Sequence, residues 1–242
     1  MISKIIHYCW FGQGEMSPLH LACIESWKKY LPEYEVIKWD ESNCPKNEFI
    51  EYHLKENNWA FVSDYVRLHA LYEIGGIYLD TDIEVLKSFD NLLENNAFVA
   101  YEEDGRINNA VSGSIKGNIF FEDCMDYMIR RFDEKLSYDI SPVVTTSVFE
   151  SKSYDVKVFE SQFFYPYNPY DESKDIKILM YCMVTEDTYA IHHWAKSWTQ
   201  DTGKKDADYK GTGLCNMLNG ICAKVSGLLY KFRRSIFDKP AS

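Results

Sequence analysis

Asp80 and Asp82, set one residue apart, end the short apolar run Ile77-Tyr78-Leu79-Asp80-Thr81-Asp82. Read as the continuation of an extended strand, this spacing puts both carboxylates on one face, because alternate side chains of a strand share a side. Two hard oxygen donors that converge suit Mg²⁺ or Mn²⁺, ions that commonly accompany a diphosphate. Upstream, Asp64 and Arg67 are three residues apart and share one face of a helix. With Ser63 read as the cap and the helix as 64–74, the pair falls in the first turn, where free backbone N–H groups favour anions. The helix then returns through Gly75-Gly76 into the aspartate run, so acid, base and metal-type carboxylates are expected in one cleft. Far downstream stand His192 and His193. Adjacent residues of an extended segment face opposite ways, so only one of them can join the aspartates on a cation. Neutral imidazole accepts Mn²⁺ readily.

The elements that must position these groups follow from pattern. Residues 4–11 (KIIHYCWF) are β-branched and aromatic and read as a first strand. Ser17-Pro18 reads as a helix start, with Leu21, Ile24, Trp27 and Leu31 as its apolar stripe and Pro32 as its stop. Residues 34–39 read as a second strand, followed by an acidic turn. Residues 97–101, 156–159 and 189–192 read as further strands, and 118–132 as a helix. Strands that alternate with helices predict an α/β fold with an open, mainly parallel sheet, and ligands beyond the carboxyl ends of its strands.

Composition narrows the class. The chain has 242 residues, 46% of them hydrophobic, enough to bury the core of one α/β domain. A net charge of −11 argues against a nucleic-acid partner, which needs a basic face. The seven cysteines are odd in number and form no Cys-x-x-Cys, so reduced thiols are expected rather than a disulfide frame or a zinc site. No signal peptide and no run of 18 apolar residues is found, which predicts a cytoplasmic chain.

The last residues differ from the rest. From Leu214, apolar residues at helical spacing through Ile236 form a stripe about 120° wide. Residues 224–242 hold five basic and one acidic side chain, net +4, which leaves −15 on the other 223. The chain therefore divides at 213/214 into a main domain, 1–213, and a basic amphipathic helix, 214–242. Such a helix is expected either at an anionic membrane surface or docked on the core.

The pattern Ser-Asp-x-x-Arg, followed by Leu-x-x-x-Gly-Gly-x-Tyr-x-Asp-x-Asp, resembles the DXD sugar transferases of glycosyltransferase family 32. That family includes bacterial capsular-polysaccharide enzymes and the Och-type mannosyltransferases, and its core is shared by the clostridial glucosylating toxins. Residues 5–12, 60–84 and 191–198 carry the resemblance. It implies a GT-A nucleotide-sugar-binding fold, a nucleotide-sugar donor (UDP-sugar favoured, GDP-mannose the other candidate) and Mn²⁺ or Mg²⁺. Trp10 matches an aromatic that stacks on the donor base, although it also follows an apolar strand as a core residue would. By the same match, Asp64 contacts ribose and sugar hydroxyls, and Arg67 holds the donor sugar and its phosphates. Asp80 reaches ribose and, through water, the metal. Asp82 ligates the metal directly. The resemblance also selects His192 as the third ligand. Ser197 and Trp198 resemble a loop that closes over the diphosphate. By the resemblance, Asn108 and Asn109 lie in an Asn-rich loop that family members keep near the sugar, and residues 139–145 form a loop in which Ser141 stands where they often carry glycine.

The expected function is a metal-dependent, retaining glycosyltransferase in bacterial surface-polysaccharide synthesis, with a glycan or lipid-linked oligosaccharide as acceptor. Glu102, Glu103 and Asp104 stand as candidates for the base of an inverting reaction. A metal phosphoesterase built on Asp80, Asp82 and His192 would leave Asp64 and Arg67 idle, and six histidines are few for a two-metal site. A non-catalytic sugar-binding scaffold would commonly have lost one of the two aspartates.

Overall fold

The structure, a computed structural model, describes residues 1–12 and 14–195. The expectations at Ser197, at Trp198 and for the segment 214–242 lie outside the described residues. The described elements run β1 (Ile5–Cys9), α1 (Pro18–Tyr30), β2 (Glu35–Trp39), α2 (Glu48–Lys55), α3 (Trp59–Glu73), β3 (Gly76–Leu79) and β4 (Ile83–Val85). They continue with β5 (Ala97–Glu103), β6 (Arg106–Ser114), α4 (Ile119–Asp133), α5 (Ser141–Ser151), β7 (Lys157–Phe159) and β8 (Ala190–His192).

Six strands form one sheet in the order β2-β1-β3-β6-β5-β7. β1 pairs in parallel with β2 and β3, and β5 with β7. β6 runs antiparallel to both of its neighbours, β3 and β5. The other five strands therefore point one way, as a mainly parallel open sheet requires. β4 and β8 make a separate antiparallel pair, with Ile83 opposite His192.

Period-2 alternation divides the core into two layers. Ile77 and Leu79 of β3, with Phe98 of β5, face Trp27, Phe89 and Phe164 on one side of the sheet. Tyr78 and Val99 face Val62, Val66, Leu71, Phe120 and Val144 of the helices α3, α4 and α5 on the other. Two glycines make the entry to β3 tight. Gly75 has φ +77° and Gly76 φ +103°, and a Cβ on Gly76 would stand 2.8 Å from the carbonyl of Ile5. A side chain there would need both a strained backbone and a displaced β1.

Several elements depart from expectation, each for a local reason. α3 starts at Trp59, not at Ser63. Its N-cap Asn58 makes no capping hydrogen bond, because its side chain donates instead to Nδ1 of His53. Asp64 and Arg67 thus lie in the second and third turns, and the helix N-terminus is not what favours an anion beside them. α1 does begin at Ser17, through a capping box with His20. Its buried face is His20, Cys23, Ser26 and Trp27, however, while Leu21 is 52% exposed. Two hydrogen bonds to β4 set that rotation: Trp27 Nε1 donates to Ile83 O at 2.7 Å, and Val85 N–H donates to Ser26 Oγ at 2.8 Å. Asn108 and Asn109 belong to strand β6, not to a loop, and the 139–145 segment passes into α5 at Ser141.

Candidate active site

Asp80 and Asp82 converge through a turn, not through strand alternation. β3 ends at Leu79, and Ile83 N–H donates to Asp80 O at 3.0 Å, which closes a β-turn over 80–83 before β4 begins. The pairing of β4 with β8 then carries His192 to the turn. One ligand-type atom from each of Asp80, Asp82 and His192 lies within 4.8 Å of the other two. His192 Nε2 is 3.3 Å from Asp82 Oδ2. His193 faces the other way and pairs with Glu84 at 3.0 Å. Trp194 stacks on His192 with ring centroids 4.0 Å apart and donates from Nε1 to Tyr167 O, which fixes the imidazole from behind.

Arg67 stands beside this cluster. Its guanidinium meets Asp64 at 3.0 Å, Asp80 at 3.1 Å and Asn109 Oδ1 at 3.0 Å, and lies 4.8 Å from the centre of the Tyr78 ring. Tyr78 OH donates to the same Asp80 carboxylate at 2.9 Å. Asn109 is 1% exposed and its amide makes three hydrogen bonds: Oδ1 accepts from Arg67 and from Ser141 Oγ at 2.7 Å, and Nδ2 donates to Thr145 Oγ1 at 3.0 Å. Asn109 therefore helps to aim Arg67. Tyr78, Ser141 and Thr145 enter the site although sequence reasoning gave them no role in it. Only Tyr78, inside the Gly-Gly-x-Tyr-x-Asp-x-Asp pattern, carried a signal.

Burial and charge compete at each ionisable group. Burial alone would raise the Asp82 carboxyl, but the charge and hydrogen bond of His192, with the N–H of Ala195 at 2.8 Å, hold it well below the usual carboxylate range. Burial would lower His192, and Asp82 outweighs it, so the imidazole is raised. Asp64 is pushed up to about 6 by burial, against the pull of Arg67. The donor set fits a divalent cation: two carboxylates and an imidazole converge, beside an Arg67 that pairs with Asp64 and Asp80. His192 Nδ1 is buried and has no partner.

Trp10 lies just beyond β1 and is half-buried, so it is not a core residue. Its Nε1 donates to Gly14 O at 2.9 Å, and its ring meets His20 edge-on at 5.1 Å. The three base candidates divide. Glu102 is buried, accepts from Asn108 Nδ2 at 2.5 Å and pairs with Arg106 at 2.9 Å. Glu103 pairs with the same arginine at 3.3 Å, and Asp104 lies in the β5–β6 turn.

The class is defined by this scaffold and this turn: a GT-A glycosyltransferase fold with an Asp-x-Asp pair at the end of its central strand. Residues 17–99 match the family described as glycosyltransferase sugar-binding region containing DXD motif. Inositol phosphoceramide mannosyltransferase 3 of Schizosaccharomyces pombe is 31% identical over 130 residues, 49% of this chain and 35% of that protein. Subversion of eukaryotic traffic protein A of Legionella pneumophila is 25% identical over 174 residues, 58% of this chain and 27% of that protein. The chain thus spans about a third or less of the length of these curated relatives. Among solved structures, the PaToxG glycosyltransferase superposes with a TM-score of 0.52 at 21% identity, over 61% of this chain and 68% of that one.

Proposed function

We propose that this chain is a metal-dependent, retaining glycosyltransferase that moves a hexose from a nucleotide-sugar donor to a glycan or lipid-linked acceptor in bacterial surface-polysaccharide synthesis. The observation that carries the reading is the convergence of Asp80, Asp82 and His192 beside a buried, permanently charged Arg67. These three residues would hold Mn²⁺ or Mg²⁺, which would supply positive charge to the diphosphate as its bond to the sugar breaks. Arg67 adds a second charge at a fixed position. Asp64, Asp80 and Asn109 orient its guanidinium, so little reorganisation accompanies the charge that develops. Asp64 and Asp80 keep acceptor oxygens for ribose or sugar hydroxyls, and Trp10 offers a planar face to the base. Of the three candidates for an inverting base, Glu102 and Glu103 are both tied to Arg106, which supports retention and leaves Asp104 of the β5–β6 turn as the base of the inverting alternative.

The relative named as an inositol phosphoceramide mannosyltransferase supports a mannosyl donor and a lipid-borne acceptor alongside UDP-sugars. The basic residues of 214–242 suit a peripheral position at the inner face of the membrane, and no helix among the described residues is long and apolar enough to cross one. Vesicle sedimentation at low and high salt tests that part: anionic vesicles should retain the full chain and release a chain lacking 214–242. Equal binding by the two would refute it. The activity is tested with a panel of UDP- and GDP-sugars in Mn²⁺, scored first for release of nucleoside diphosphate and then, with glycan acceptors added, for a larger product. Hydrolysis that no acceptor diverts would favour the phosphoesterase reading.

A further inference from the structure

His20 has one nitrogen explained and one not. In the capping box, its Nδ1 faces the backbone N–H of Ser17 at 3.3 Å and Ser17 Oγ at 3.1 Å. A backbone N–H can only donate, so Nδ1 is the acceptor and the neutral ring carries its proton on Nε2. That Nε2–H is buried and has no partner, and the residue is only 6% exposed. A buried donor left unmade costs free energy, so a group of this kind calls for a reason.

Its position supplies one. α1 is pinned to β4 at Ser26–Val85 and Trp27–Ile83, and Cys23 and His20, one and two turns nearer its N-terminus on the same buried face, both feel the charge of Asp82. The Trp10 ring meets His20 at 5.1 Å. His20 is therefore next to the residue assigned to the base and within reach of the charge of the residue assigned to the cation. A nucleotide that stacks on Trp10 and places its diphosphate at Asp82 is brought close to His20.

We propose that His20 is a binding residue for the nucleoside-diphosphate part of the donor, its Nε2–H donating to a ribose or phosphate oxygen. The inference rests on the donor-site reading above and adds to it a residue on α1, outside the Asp80–Asp82–His192 cluster. It also separates His20 from a mere cap. The usual capping box carries Glu or Gln at this position, so a glutamine can replace the cap function without delivering the ring N–H.

His20→Gln is the discriminating variant, with UDP and GDP, each in Mn²⁺, and Mn²⁺ alone as calorimetric probes. The expected result is an unchanged melting temperature, unchanged Mn²⁺ binding and about tenfold weaker nucleotide binding, the value of one hydrogen bond to a charged group. Ser17→Ala is the companion: it weakens the cap and keeps the imidazole, so it should lower the melting temperature more than the nucleotide affinity. Nucleotide affinity unchanged in His20→Gln, or lost equally in Ser17→Ala, overturns the role of His20. If His20→Gln keeps nucleotide binding that Asp82→Asn abolishes, His20 alone is wrong. If the wild-type chain binds neither nucleotide, the donor-site reading fails and takes this inference with it.

Discussion

Trp10, Arg67 and Asp82 show how far residue type and spacing reach. Asp80, Asp82 and Arg67 were legible because the Ser-Asp-x-x-Arg and Gly-Gly-x-Tyr-x-Asp-x-Asp patterns join them across one helix and one glycine pair; alone, each would read as a solvated surface charge. The reason for their convergence was not legible, since the same spacing serves a strand and a β-turn equally well. His20 escaped notice because nothing in Pro18-Leu19-His20-Leu21 separates it from a surface histidine; only the rotation of α1 buries it. Trp10 read as a base platform with the core as its alternative, and it is half-buried at the end of β1. Trp10→Ala is expected to weaken nucleotide binding by about 1–3 kcal/mol, the value of one aromatic–base stack. Because the contact exists in ground and transition states alike, the donor KM should rise more than kcat falls. Calorimetric titration with UDP or GDP in Mn²⁺ is the check, and a lowered melting temperature at constant affinity would return Trp10 to the core.

At the scale of elements, apolar periodicity was readable and buried polarity was not. β1, β2, β5, α1 and α4 announce themselves by β-branched runs or caps. β6 carries Arg106, Asn108, Asn109, Ser112 and Ser114 and so resembles a loop, yet it lies mid-sheet, where it builds the network that aims Arg67. α5 is rich in Val and Thr, residues of low helix propensity, and is held by its packing on β6 and α4. α2 is only eight residues long, too short for periodicity to be decisive. Its His53 is fully buried among Phe49, Phe61, Phe132 and Tyr138, and burial pushes it down to about 4. A histidine lowered in the fold binds a proton more readily unfolded, so its contribution is full above about pH 6.5 and is lost as pH falls toward 4. The loss amounts to about 3 kcal/mol when complete. His53→Leu should therefore flatten the fall in melting temperature between pH 6.5 and 4. A slope equal to that of wild type would show that α2 is not where acid unfolding begins.

On the scale of the whole molecule, the parts of the site come from distant stretches of chain: the end of β1, α3, the β3–β4 turn, β6 and β8. The sheet gathers them because β3 lies at its centre, with β1 on one side and β6 on the other, while β8 reaches the turn by pairing with β4. Order along the chain predicted the mainly parallel sheet, but not the antiparallel β6 at its middle, because a polar strand gives no apolar signal of its presence. The account stands or falls on the cation-dependent cluster. Its most direct test is release of nucleoside diphosphate from UDP- and GDP-sugars by the wild-type chain and by Asp82→Asn, with Mn²⁺ and with a chelator. Turnover of at least one sugar nucleotide is expected, abolished by the chelator and restored by Mn²⁺. Asp82→Asn should lose about 100-fold or more, the scale of removing a principal electrostatic stabiliser. Turnover that survives chelation, or an Asp82→Asn variant within a few-fold of wild type, would contradict the account.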